Sequence, residues 1–143
     1  MKIKGKHFLS NQEFFDAAWN WLVVENNLPC IVTENEKEDG RCAYRLNNQT
    51  CVIGAFIPDD LYNTKFEGHT IDMLTTSNDI SCLDSNLKDW FKHVDPYLMS
   101  HVQSVHDNYI PDHTPEERKI DRIDMLKEIA KTKRFNLKVP EQI

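Results

Sequence analysis

Residues 41–68, with the sequence RCAYRLNNQTCVIGAFIPDDLYNTKFEG, constrain the fold of this chain more than any other segment. Two runs that suit β-strands flank Asn47-Asn48, and asparagine tolerates the left-handed backbone of a two-residue hairpin turn. Pro58 ends the second run, because proline lacks the N–H that a strand ladder needs. The pattern predicts a β-hairpin over residues 43–57.

Two cysteines lie in or beside this hairpin. With the turn in that position, Leu46 lies opposite Gln49, Tyr44 opposite Cys51 and Cys42 opposite Ile53. Side chains alternate between the faces of a strand, so Cys42 and Cys51 are expected on one face. Diagonal neighbours are roughly 7–8 Å apart, which is at the limit for a disulfide. The pair is therefore interpreted as buried core thiols or as two ligands of a zinc ion.

Helices are predicted on both sides of the hairpin. Capping boxes, in which Ser or Thr is followed three residues later by Glu, begin at Ser10 and Thr114. They predict helices over about residues 11–25 and 115–133. Between them, Pro96 predicts a break between two further helices, because proline is favoured at the first position of a helix.

The last predicted helix has an apolar stripe with the period of an α-helix. Its members are Ile120, Ile123, Leu126, Ile129 and Ala130. This stripe is expected to face the core, with the charged residues on the solvent side.

Together these elements predict an α+β fold, a mainly helical single domain over residues 1–143. A small antiparallel hairpin or sheet (residues 30–57) is packed by an N-terminal helix and two or three C-terminal helices. A chain of 143 residues can bury about two thirds of its unfolded surface, enough for one core. Residues 1–9 and 139–143 are expected to be loose. No apolar run is long enough to span a bilayer, which favours a cytoplasmic protein without membrane contacts.

The charge of the chain is unevenly distributed. Seventeen basic and 23 acidic residues give a net charge of −6, which argues against extended nucleic-acid binding. Residues 114–138, however, contain eight basic and five acidic side chains, a local excess of three positive charges. This basic end is compatible with a small anionic ligand.

Polar side chains that suit such a ligand gather in the hairpin, in the loop after it and near residue 106. The candidate ligand-binding residues are Tyr44, Arg45, Asp59, Tyr62, Glu67, His69, His106 and Asp107. Arginine supplies a cation that binds anionic groups, and tyrosine supplies a ring for stacking.

The same region also contains residue types for catalysis. Cys51 with His106, and Asp107 or Glu67 as the third group, would suit a nucleophilic cysteine. No spacing completes a catalytic or metal-binding signature, so a non-enzymatic protein without a required cofactor is favoured, with zinc at Cys42 and Cys51 as the alternative.

The pattern C-x-Y-R, then C-x-x-G-x-x-I-P-D-x-x-Y, then E-G and, much later, H-D-N resembles a family of small uncharacterised proteins of bacteriophages and bacterial genomes. In this chain it comprises Cys42, Tyr44, Arg45, Cys51, Gly54, Ile57, Pro58, Asp59, Tyr62, Glu67, Gly68, His106, Asp107 and Asn108.

The resemblance implies a phage or prophage accessory protein in the host cytoplasm, with a role such as anti-defence. Such a protein is expected to bind a host protein or a small anionic ligand, for example a nucleotide signal of bacterial immunity. The alternatives are a small Cys-dependent or metal-assisted hydrolase and a structural homo-oligomer.

Overall fold

The computed structural model describes residues 5–28, 31–32, 41–46, 49–79, 83–107 and 112–140. This part of the chain is mainly helical and contains two short antiparallel strand pairs. The helices are α1 (Asn11–Trp19), α2 (Val52–Phe56), α3 (Ile71–Thr76), α4 (Ser85–Trp90), α5 (Pro96–Asp107) and α6 (Pro115–Lys131). The strands are β1 (Ile31–Val32), β2 (Arg41–Cys42), β3 (Arg45–Leu46) and β4 (Gln49–Thr50).

The predicted helix starts are confirmed. The Ser10 hydroxyl accepts the N–H of Glu13, and Thr114 and Glu117 form a reciprocal capping box. Pro96 begins α5, which confirms the predicted break. After α1 the chain continues as a π-helical turn (Asn20–Val24), so the helical path ends where the sequence predicted.

The hairpin prediction is correct only around its turn. β3 and β4 pair with Leu46 opposite Gln49, as predicted. The extension of the second strand to residue 57 is wrong, because Val52–Phe56 form the short helix α2. The Cys51 side chain caps this helix, and its Sγ accepts the N–H of Gly54 at 3.2 Å.

Cys42 belongs to the other strand pair. In that pair it lies opposite Ile31, and Val32 lies opposite Arg41. The predicted pairing of Cys42 with the strand that follows the turn is therefore wrong. Two separate ladders replace the single longer hairpin.

Helix α5 lies at the centre of the fold and contacts α1, α2, α3 and α6. Beside it, the rings of Phe8, Phe14 and Phe56 meet edge to face at centroid distances of 5.0–5.8 Å. The Lys6 N–H also donates to the Phe56 carbonyl at 2.9 Å. The N-terminal segment that the sequence suggested would be loose is thus packed from Gly5 onward.

The buried face of α6 differs from its predicted apolar stripe. Leu126 and Ala130 are buried as predicted, but Ile120 is 57% exposed and Arg122 is buried. The inward face therefore begins with a charged residue. Among the described helices, none is both long and apolar enough to cross a membrane.

Candidate functional site

The Glu67 carboxylate joins the hairpin to the loop that follows α2. Its Oε1 accepts the N–H of Tyr44 at 2.9 Å, and its Oε2 accepts the N–H of Arg45 at 3.2 Å. Oε2 also accepts the hydroxyl of Tyr62. The 3-10 turn Thr64–Phe66 directly before Glu67 aims the carboxylate back at β3. One side chain thereby satisfies two backbone donors and a phenol.

The Arg45 side chain is held by the same loop. Its Nη1 lies 2.6 Å from Oδ1 of Asp59, and its Nη2 donates to the Ile57 carbonyl. The guanidinium also lies over the ring of Tyr62, 4.5 Å from the centroid. The side chain is only 16% exposed, so this cation is paired inside the fold. The sequence predicted Arg45 as a ligand contact, and the fold uses it to fix the residues around Pro58.

Gly54 and Tyr44 explain why this cluster is so compact. A Cβ at Gly54 would lie 2.1 Å from the Tyr44 carbonyl oxygen, so only glycine fits there. That carbonyl accepts the N–H of Cys51, and the Tyr44 hydroxyl donates to the His69 carbonyl at 2.7 Å. Helix α2 therefore rests directly on β3.

Six of the eight candidate residues meet in this network, which we call the Glu67 cluster. Its members are Tyr44, Arg45, Asp59, Tyr62, Glu67 and His69. The hydrogen bonds and the ion pair described above join these residues mainly to one another and to backbone atoms. The cluster is therefore built as a scaffold for the loop over residues 57–69.

His106 lies apart from the Glu67 cluster, at the end of α5. Its Nδ1 accepts the N–H of Val52 at 3.0 Å, which leaves the proton on Nε2 to donate to the Leu28 carbonyl at 3.1 Å. The side chain is fully buried. Burial, and after it the positive charge of Arg122, lowers the pKa of His106 from 6.5 to about 4. The imidazole is thus neutral, with both nitrogens engaged.

The position of His106 disfavours it as the general base of a Cys-dependent hydrolase. A general base needs a nitrogen lone pair facing its proton donor, and the lone pair of His106 is occupied by Val52 N–H. Cys51 is a buried thiol that caps α2. The side chains of Cys42 and Asp107 lie outside the described atoms. Within the described ranges, no group of three or more His, Cys, Asp or Glu side chains could hold a metal ion.

An open groove of about 360 Å³ lies where the loop after α2 meets α4. Its lining residues are Pro58, Asp60, Leu61, Asn86, Asp89 and Trp90. This groove could not be predicted from the sequence, because its two sides are 25 or more residues apart in the chain. The Asp59-Asp60 pair was the sequence feature that pointed to it. The two residues have different roles, because Asp60 lines the groove and Asp59 pairs with Arg45.

Trp90 forms the aromatic side of the groove, and a hydrogen bond to the backbone holds its ring in place. Its Nε1 donates to the Phe56 carbonyl at 3.0 Å. The ring of His7 lies 5.0 Å away, and that of His93 lies 6.3 Å from His7. The groove therefore has a fixed apolar floor and a rim with two carboxylates and one amide.

Comparison of the chain with protein-family models, with curated proteins and with solved structures gave no match.

Proposed function

We propose that this chain is a non-enzymatic accessory protein of the phage or prophage type, and that it acts by binding a host protein. The groove between the loop after α2 and α4 would receive a lysine or arginine side chain of that partner. The observation that carries the proposal is an open groove with an anchored tryptophan and two carboxylates on its rim.

The Glu67 cluster supports the proposal because it holds one side of the groove. Arg45 bonds to the Ile57 carbonyl and to Asp59, the residues on either side of Pro58. The turn that presents Asp60 and Leu61 is therefore fixed before any partner arrives. A preformed site loses less conformational entropy on binding than one that must be ordered.

The charges of the groove favour a cationic partner. Asp60 is exposed and has no ion-pair partner in the described part of the chain. Asp89 is 80% exposed, and its ion-pair partner among the described residues is the exposed Lys92, at 3.8 Å. A lysine or arginine stem would pack on Pro58 and Trp90 while its charge reached the carboxylates.

The other expected functions have less support in the geometry. Because Arg45 is paired with Asp59, a small anionic ligand such as a nucleotide signal would have to break that ion pair to bind at the hairpin. A hydrolase would need a base other than His106. The homo-oligomer remains a proposal that light scattering would test.

The phage setting and the location in the host cytoplasm are inferred from the sequence resemblance alone. The residues of the groove do not indicate the source of the protein. An anti-defence role would follow if the partner belonged to a defence system. The binding chemistry can be tested without knowing that partner.

The test uses the isotope-labelled full chain and blocked Gly-X-Gly tripeptides with Arg, Lys or Gln as X. We expect the Arg and Lys peptides to shift the Trp90 indole N–H and the backbone amide of Leu61 in NMR spectra. The Gln peptide should leave both unchanged at the same concentration. Loss of one ion pair is worth up to about 1 kcal/mol, so Asp60→Asn should weaken binding roughly fivefold.

Asp124→Asn is the matched control, because it removes one exposed carboxylate from α6, away from the groove. It should bind like the unmodified chain. Equal shifts with Arg and Gln peptides, or equal weakening by both substitutions, would rule out a cation-binding groove.

A further inference from the structure

Arg122 is a charged residue in the interior of the fold. It lies on the inward face of α6 and is only 2% exposed. Its Nη1 donates to the Leu22 carbonyl at 2.9 Å and to Oδ1 of Asn26 at 3.3 Å. Its Nε is buried and has no hydrogen-bond partner. A donor of the guanidinium is thus unused.

A second arginine, Arg118, lies one helical turn earlier and also bonds to Asn26. Arg118 is half-buried, and its Nε donates to Oδ1 of Asn26 at 3.2 Å. Its Nη2 donates to the Asn26 carbonyl at 3.3 Å. Burial, and after it the charge of Arg118, lowers the pKa of Arg122 to about 10. The two cations therefore repel each other across Asn26.

Within the described part of the chain, the oxygens that accept hydrogen bonds from this arginine pair are all neutral. They are the Leu22 carbonyl and the two oxygens of Asn26, and no carboxylate of the described residues pairs with either guanidinium. His106, close enough for Arg122 to lower its pKa, is itself neutral. Among the described residues, this part of the fold therefore has an excess of positive charge.

The partial negative charge at the C-terminal end of the π-helical turn compensates only part of the positive charge of the two arginines. The C-terminal end of a helix carries about half a negative charge, whereas the pair carries two positive ones. Burying an ion without a counter-ion costs several kcal/mol. The positive excess of residues 114–138 adds to the local potential.

We propose that Arg118 and Arg122 bind a small oxyanion, a phosphate or carboxylate group, where α6 meets the end of the π-helical turn. Guanidinium groups bind such groups through paired N–H donors. The unused Nε of Arg122 supplies one donor, and the half-buried Arg118 gives access to the pair. This site is separate from the groove of the proposed function and does not depend on it.

The first experiment follows the 31P signal of inorganic phosphate in the presence of the full chain at neutral pH. We expect the signal to broaden, and an excess of unlabelled sulfate to reverse the broadening. Excess chloride at the same ionic strength should not. No protein-dependent broadening, or equal reversal by chloride, would overturn the proposal.

The second experiment measures the thermal midpoint by circular dichroism in phosphate, acetate and chloride at one ionic strength. We expect a saturable rise with phosphate, reaching about 5–10 °C when phosphate exceeds its Kd a hundredfold. Arg118→Gln should abolish the rise. Lys127→Gln, which removes an exposed charge from the same helix, should keep it.

The acetate arm separates the ligand classes. A rise with acetate equal to that with phosphate assigns the site to oxyanions in general, and a rise with phosphate alone assigns it to phosphate groups. If Arg118→Gln does not fold, Arg118→Lys retains the charge without the planar fork and should weaken the response. An identical response in unmodified chain and variant would overturn the proposal, since phosphate also stabilises proteins non-specifically.

Discussion

The buried imidazole of His106 should make the stability of this protein depend on pH. Its pKa in the folded chain is about 4, against 6.5 for an unperturbed histidine, because burial and Arg122 disfavour the charged form. The unfolded chain therefore binds more protons between these two values, so the free energy of unfolding rises with pH across this window. The stabilisation is complete above pH 6.5 and is lost as the pH falls towards 4.

The size of the effect follows from the shift. One pKa unit corresponds to 1.36 kcal/mol, so a fall from 6.5 to about 4 corresponds to about 3 kcal/mol in total. Integration over the titration gives a loss of about 2 kcal/mol between pH 7 and pH 5. This is a large part of the usual stability of 5–15 kcal/mol for a domain.

Protonation also acts on specific contacts. A proton on Nδ1 would face the Val52 N–H that now donates to it. Two donors would then meet at 3.0 Å, and a second buried cation would lie near Arg122. Acid should therefore loosen the junction between α5 and the start of α2 before it affects distant parts of the fold.

The Asp95 carboxylate contributes to the stability at lower pH and does not mask this effect. Burial raises the pKa of Asp95, but hydrogen bonds from Arg134 and from the backbone of Tyr97 outweigh it, so the net pKa lies below 3.8. The stability that this group contributes is present above 3.8 and is lost only as the pH falls through the lowered value. The interval from pH 7 to pH 5 thus lies above the range in which Asp95 affects the stability, whereas it lies within the window of His106.

Urea denaturation followed by circular dichroism at pH 7, 6 and 5 measures the effect. His106→Asn places an oxygen near the position of Nδ1 without a titrating group, so it should be less stable at pH 7 but lack the loss of about 2 kcal/mol. His101→Asn removes an exposed imidazole from the same helix and serves as the control. A pH dependence in His106→Asn as steep as in the unmodified chain would refute the reasoning.

Two substitutions test the Glu67 cluster by the same denaturation assay. Gly54→Ala should cost about 3 kcal/mol, because the new methyl group meets the backbone of Tyr44 rather than a side chain that can move. The control Ala55→Ser, at the next and half-buried position, should cost far less; a similar cost for both would contradict the close contact. Glu67→Gln should cost about 2 kcal/mol, because an amide cannot accept from all three donors. The exposed Glu128→Gln should cost less than about 1 kcal/mol, and equal costs would show that the three bonds contribute little.

Features with local causes could be predicted from the sequence. The caps at Ser10 and Thr114 need only a side-chain oxygen and an N–H three residues later, so the pattern suffices. The same holds for Pro96 at the start of α5. The pairing of Leu46 with Gln49 was also predicted correctly, because it depends only on residues that are close in the sequence.

Helix α2 could not be predicted in this way, because its cause is tertiary. Val52 and Ile53 favour strands, and cysteine is an uncommon helix cap. The N–H of Val52 is satisfied by His106, 54 residues away in the chain. The helical turn also brings Gly54 against Tyr44, which a continued strand would not do.

The sequence indicated which polar residues are candidates for the site, but it did not indicate what each of them contacts. Six of the eight candidate residues, those of the Glu67 cluster, come together in the fold. Whether Arg45 meets a ligand or Asp59 depends on the turn at Pro58. The groove depends on where α4 packs, and no pattern within residues 41–68 contains that information.

Two arginines show how the fold distinguishes scaffold from candidate site. Arg45 lies in the densest motif, yet its charge is balanced by Asp59 and covered by Tyr62. Arg122 lies in α6, outside that motif and where an apolar stripe was expected, yet its buried charge has no carboxylate partner within the described residues. The charge of a guanidinium that pairs with a carboxylate is already balanced, whereas an unbalanced buried ion gains free energy when an anion arrives. The balance of charge therefore predicts a ligand site at α6, whereas the number of motif residues would have predicted one at the hairpin.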